Sequence, residues 1–187
     1  MARNKSNNAP LDDWKGFYDE LQKETPRAAI IIAAAFIDGW LRRLLENMMV
    51  DDPNVVEALL GRDESADDRP LSTFAARIKA TYCLGLVSKH EYDDLNLLRK
   101  IRNRFAHRPH GFSFDEQEIV SWCSSLKIPK EIVSALPQFP RDRRSLFQLG
   151  VSLLAIKLSL RVIAVKRKRK TSPNEFGTVR LVSLISS

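Results

Sequence analysis

EYDDLNLLRKIRNRFAH, residues 91–107, is the stretch that decides the fold. Tyr92, Leu95, Leu98, Ile101 and Phe105 recur three or four residues apart, the spacing that lines one face of an α-helix and not the alternation of a strand. Ser88 and Glu91 stand three apart at its start, the pattern of a capping box, and Pro109 disfavours helical geometry at Arg108 and so closes it. A helix with one apolar face has to pack that face inward. Its closing residues, IRNRFAHRP, crowd Arg102, Asn103, Arg104, His107 and Arg108 around one aromatic, so the same helix raises the question of function.

Working outward, the neighbouring segments read the same way. Thr25 followed by Pro26 supplies a cap and a first-turn proline for RAAIIIAAAFIDGWLRRLLENMMV, where Ile30, Ala34, Ile37, Leu41, Leu44 and Met48 mark one buried face. Asp52 and Pro53 repeat that signal for a short helix ending at Gly61. After the polar loop RDESADDRP, Phe74, Ile78 and Tyr82 place an amphipathic helix from about residue 71 to Gly85. Downstream, Ser113 with Glu116 predicts a second capping box opening a helix through Ile119, Trp122, Cys123 and Leu126, and Pro129 and Pro137 bracket a shorter one. The segment RDRRSLFQLGVSLLAIKLSLRVIAV is apolar enough to test as a membrane span, but Lys157 and Arg161 at its centre count against insertion. Set one turn apart, they share a polar stripe while the leucines fill a core. The expectation is therefore an all-α, single-domain bundle of six or seven helices: residues 1–25 a polar segment and short helix, 26–165 the bundle, 166–187 a basic run and tail. Within that tail, FGTVRLVSLISS stays open between a strand and no fixed structure.

At 187 residues the chain can bury about two-thirds of its unfolded surface, so it needs no metal or disulfide to fold. Cys83 and Cys123 lack paired spacing and read as buried thiols of a reducing cytoplasm. MARNKSNNAP has no apolar run behind it, which argues against a secretory signal. The formal charge of +7 permits nucleic-acid binding without establishing it, because Lys166, Arg167, Lys168, Arg169 and Lys170 carry much of the excess. That run reads either as a polybasic arm for nucleic acid or acidic lipid, or as a charged helix end that favours solubility. Phosphate-loop, dinucleotide, zinc-protease and nucleophile-elbow motifs are all missing. His107 and His110 straddle a proline in poor geometry for a metal pair, His90 belongs in solvent at a helix start, and the acids of DESADD lack calcium-loop spacing, so no cofactor and no metal is expected.

The ordered run PLSTFAARIKATYCLGLVSKHEYDDLNLLRKIRNRFAH, with GFSFDEQEIVSWCSSLKIP after it and AAAFIDGWLRRLLENMMVDDPNVVEALL before it, resembles the mannitol operon repressor family of bacterial proteins over about residues 27–130. The resemblance implies an all-helical fold, a bacterial cytoplasmic setting and negative regulation of mannitol uptake genes. It implies no recognised DNA-reading module, so repression through a protein partner is the expected mode. Arg102, Asn103 and His107 also resemble the R-polar-x3-H signature of the HEPN superfamily, which includes metal-independent ribonucleases.

Two readings of that triplet follow. As a ribonuclease site, His107 would move the 2′-hydroxyl or leaving-group proton, Arg102 would stabilise charge on the phosphorane, and Asn103 would orient either. Five residues place Arg102 and His107 about 140° apart on an ideal helix, so a dimer joining two motifs is the natural way to bring them together. As a structural corner, Arg102 would pair with Asp38 or Glu46, and His107 would bond carbonyls of its own helix end. Arg104 and Arg108 are then solvent or phosphate contacts. The sequence favours a non-enzymatic, dimeric interaction protein, with the ribonuclease and a direct, phosphate-driven DNA binder as alternatives.

Overall fold

Thr25 and Asp52 do what their positions predict. Thr25 Oγ1 accepts from the Ala28 N–H at 3.3 Å, and Asp52 Oδ1 accepts from Asn54 and Val55 at 3.1 and 3.2 Å, each cap preceding a first-turn proline. The computed structural model describes residues 9–61, 69–107, 113–135 and 137–166. These form eight helices and no strand: α1 (Ala9–Lys23), α2 (Pro26–Met48), α3 (Pro53–Leu60), α4 (Phe74–Cys83), α5 (Lys89–His107), α6 (Gln117–Ser125), α7 (Ile128–Val133) and α8 (Arg143–Lys166). The all-α reading holds, with one or two more helices among the described residues than expected.

The bundle is built around α2, which packs against α8 along its length and also meets α1, α4 and α5. Its buried face is the one the spacing marked: Ile30, Ala34, Ile37, Leu41 and Leu44 are buried, and Met48 packs against the core's edge. From α5, Leu95, Leu98, Ile101 and Phe105 point into the same core, and Phe105, Phe114 and Phe147 stack through it in a tilted row. Phe17 and Leu21 of α1 join it.

Gly61 and Gly85 end α3 and α4 with φ of 65° and 68°, a region where a β-carbon is strained. The Ser88–Glu91 capping box forms in full: Glu91 Oε2 accepts from the Ser88 N–H at 2.7 Å and Ser88 Oγ from the Glu91 N–H at 3.3 Å.

Three local expectations are corrected. α4 starts at Phe74, where Thr73 Oγ1 accepts from the Ala76 N–H, rather than near residue 71. Its last turn swings outward, leaving Cys83 exposed instead of buried and Tyr82 on the surface, stacked on Tyr92 at 4.4 Å between ring centroids. The Ser113–Glu116 box does not form: Ser113 Oγ accepts from the Asp115 N–H in a tight turn, and Glu116 caps α6 with no side-chain bond. Cys123 is buried as expected, and burial pushes its thiol up to about 12.

Within residues 143–165 a window of 18 residues reaches a mean hydropathy of 1.7, enough by length and composition to cross a membrane, yet half of that window is buried within the bundle. Its two central cations serve the interior. Arg161 makes a two-pronged pair with Glu91, 2.8 Å on each side, and Lys157 stands 3.8 Å from the same carboxylate, which is only 1% exposed. That cluster ties α8 to the start of α5.

Candidate functional site

One face of α5 carries Arg99, Arg102 and Asn103, at i, i+3 and i+4. Across from it lies the N-terminus of α4, and between them opens a cleft of about 390 Å³. Its walls include Asp38 of α2, Ser72 and Thr73 before α4, and Phe74 and Ala75 in the first turn. The site depends on the local fold: the apolar stripe of α5 fixes which residues face out, and the Thr73 cap fixes where α4 begins.

Within the cleft, Asn103 Oδ1 accepts from Arg102 Nη1 at 3.0 Å, which leaves the rest of the guanidinium and the Asn103 amide hydrogens as donors. Arg99 Nε is buried without a hydrogen-bond partner among the described residues. The acidic wall is engaged through one carboxylate oxygen. It is Arg77, not Arg102, that takes Asp38, at 2.6 Å, while also donating to the carbonyls of Leu60 and Leu71 at 3.0 and 2.9 Å. Neither Arg99 nor Arg102 forms an ion pair with a described acidic residue, and Asp38 shares the cleft with them.

The sequence-predicted triplet is split. Arg102 and Asn103 share the cleft, whereas His107 is exposed at the end of α5 and does not line it. His107 forms no hydrogen bond to another described residue. Arg104 pairs with Glu118 of α6 at 2.8 Å. Arg108 and Arg167–Lys170 lie outside the described residues, as do DESADD, His110 and FGTVRLVSLISS; Lys166 is the last residue of α8. His90 is solvent-exposed as expected, with Nδ1 2.9 Å from Glu131. Among the described residues no group of His, Cys, Asp or Glu side chains is placed to hold a metal ion.

A second concavity lies beside the start of α8, lined by Pro26, Phe114, Arg143 and Arg144 among others. Two of its three arginines are engaged: Arg143 pairs with Asp115 at 2.8 Å, and Arg144 donates to the carbonyls of Leu21, Gln22 and Glu24 at the end of α1, while Arg141 also lines it. The α5 cleft differs in that its two arginines sit on one helix face and neither pairs with a carboxylate among the described residues. Reading the sequence by motif passed over Arg99, although its spacing to Arg102 was legible; the facing α4 terminus was not.

The family model described as mannitol repressor matches residues 17–165, nearly the whole bundle. The chain belongs to the mannitol repressor family. Within that family's curated proteins, the mannitol operon repressors of Escherichia coli K12 and Escherichia coli O6:H1 are each 32% identical over 74 residues. Those matches cover 40% of this chain and 36% of each relative, so the chain aligns with about a third of the length of the curated relatives it matches. A chain in the X-ray structure of the MtlR–HPr complex from Escherichia coli shares the fold, with a TM-score of 0.60 and 22% identity over 78% of this chain and 98% of that one.

Proposed function

We propose that this protein is a mannitol-repressor-type regulator that works in the bacterial cytoplasm by association, without turnover, and that HPr is its protein partner. The observation that carries the reading is the family match across residues 17–165, which spans the elements that build the bundle. The shared fold with a chain solved in the MtlR–HPr complex supports HPr as the first partner to test. Exposed apolar side chains support association: Leu84 is 54% exposed, and Leu160 on the outer face of α8 is 59% exposed. Homodimerisation belongs to the same proposal.

The test is titration calorimetry of the purified chain with HPr, alongside sedimentation of each alone. Saturable binding with micromolar or tighter affinity is expected, and no heat or co-sedimentation at 100-fold higher concentration would overturn the HPr assignment. A mobility shift against a mannitol-operon promoter and an unrelated duplex tests direct DNA contact. Repression through a partner predicts no promoter preference by the chain alone; equal retardation of both duplexes would point to phosphate-driven binding that weakens steeply with salt.

A second reading, the metal-independent ribonuclease, is favoured by one observation, the Arg102–Asn103 pair in an open cleft. Against it stands the position of His107 outside that cleft, which leaves a single protomer without a proton carrier beside Arg102. Incubation with mixed RNA in chelator decides: cleavage by the native chain that disappears in His107→Ala and Arg102→Ala would replace the non-enzymatic reading.

A further inference from the structure

We infer that the cleft between α5 and the start of α4 is a binding site for the phosphate group of a small phosphorylated metabolite. The inference is independent of HPr binding and of RNA cleavage.

Three observations converge. Arg99 and Arg102 project from one face of α5 into a cavity of about 390 Å³, and neither has an acidic partner among the described residues. Arg99 Nε is buried with no hydrogen-bond acceptor there, a costly state for a charged donor unless something enters the cleft to accept it. The opposite wall is the first turn of α4, where Thr73 satisfies only the Ala76 N–H, so the Phe74 and Ala75 N–H groups remain as donors at the positive end of a ten-residue helix. Two guanidinium groups and a helix start aimed at one volume are complementary to a dianion with several acceptor oxygens.

Size and polarity narrow the ligand. The cavity is several times larger than a phosphate ion, and beyond the arginines its walls include the Ser72 hydroxyl and the Asn103 amide, groups that hydrogen-bond hydroxyls, beside the Asp38 carboxylate that Arg77 holds. A hydroxylated phosphate monoester of sugar size suits that arrangement. A nucleobase has no aromatic platform among the lining residues except Phe74, whose ring is buried in the core. Cleavage chemistry is not implied, since His107 stands outside.

The experiment uses the full chain. Its thermal midpoint is followed with inorganic phosphate, glycerol 1-phosphate and glucose 6-phosphate, each against sodium chloride at matched ionic strength, and affinities are taken from calorimetry. Millimolar or tighter binding of at least one ester is expected, weakened about tenfold or more in Arg99→Gln and in Arg102→Gln. Ala75→Asp is the variant that protects the test from misfolding: a carboxylate in the first turn of α4 stabilises the helix while filling the site with negative charge, so the apo midpoint holds or rises and binding is lost. Equal response of native and variant chains to every anion would overturn the site. Binding of inorganic phosphate with no binding of either ester would overturn the metabolite assignment.

Discussion

The two ends of α5 hold similar residues in opposite circumstances. At its start, Glu91 and Asp94 are buried and fully engaged: Glu91 by Arg161, Lys157 and the Ser88 N–H, and Asp94 by the N–H groups of Lys127 and Ile128 at 2.8–3.1 Å, which it caps. In its second half, Arg99, Arg102 and His107 lack acidic partners among the described residues. Charge at the first end is buried and compensated, and an uncompensated ion there costs on the order of 3–5 kcal/mol. At the second end Arg99 and Arg102 line an open cleft, and His107 is exposed outside it. Architecture therefore resides at one end of the helix and recognition at the other.

The sharpest way to break that contrast is Arg161→Ala. It leaves buried Glu91 with only the Ser88 N–H and a distant Lys157, and a loss on the order of 3 kcal/mol in chemical denaturation is expected; a loss below about 0.5 kcal/mol, the range of an ordinary surface change, would mean the cluster is not structural. Asp94→Ala removes the acceptor for two backbone N–H groups at the start of α7 and is expected to cost about 2 kcal/mol. The comparison fails there if the variant matches the native chain.

Acid tests the same end by charge. Burial pushes the Glu91 pKa up, but Arg161 and the Ser88 N–H outweigh it and hold the carboxyl below its ordinary 4.5. A depressed folded value means the contribution is present above pH 4.5 and fades as pH falls through the folded value. Asp94 works in the opposite sense: burial dominates and raises it above 3.8, so its contribution is present below that value and is lost as pH rises through the folded one. Asp93 and Asp142, held low by hydrogen bonds from Lys127 and Ser145, add an acid-sensitive background common to native and variant chains. Glu91→Gln should therefore be less stable than the native chain at pH 7 and lose less on acidification; parallel stability curves would remove Glu91 from the acid limb.

The smallest effects belong to the open end. Arg99→Gln, Arg102→Gln and His107→Ala are each expected to change stability by less than about 0.5 kcal/mol. A loss of 2 kcal/mol in either arginine variant would make these residues braces rather than ligand-binding groups.

Much of this was legible in the chain. Thr25–Pro26, Asp52–Pro53, Gly61 and Gly85 placed helix ends because capping and φ preferences act over three or four residues. The stripes of α2 and α5 marked the core because helical periodicity sorts side chains by face. Lys157 and Arg161 announced a polar stripe inside an apolar helix, and the stripe met a buried carboxylate. Where sequence reasoning went astray, the deciding contact was distant. Asp38 went to Arg77 instead of Arg102, Cys83 and Tyr82 turned outward with the last turn of α4, and the Ser113–Glu116 pattern closed a turn without capping a helix.

Sequence by itself determined that the chain folds as helices, which faces they bury, and that Arg102, Asn103 and His107 cluster near one helix end, since all of these follow from spacing along a 3.6-residue turn. Only the tertiary structure decided that Arg102 and Asn103 look across at the start of α4 with Arg99 beside them while His107 does not. Which charges find partners is set by helices brought together from far apart in the chain, and no local spacing encodes that pairing.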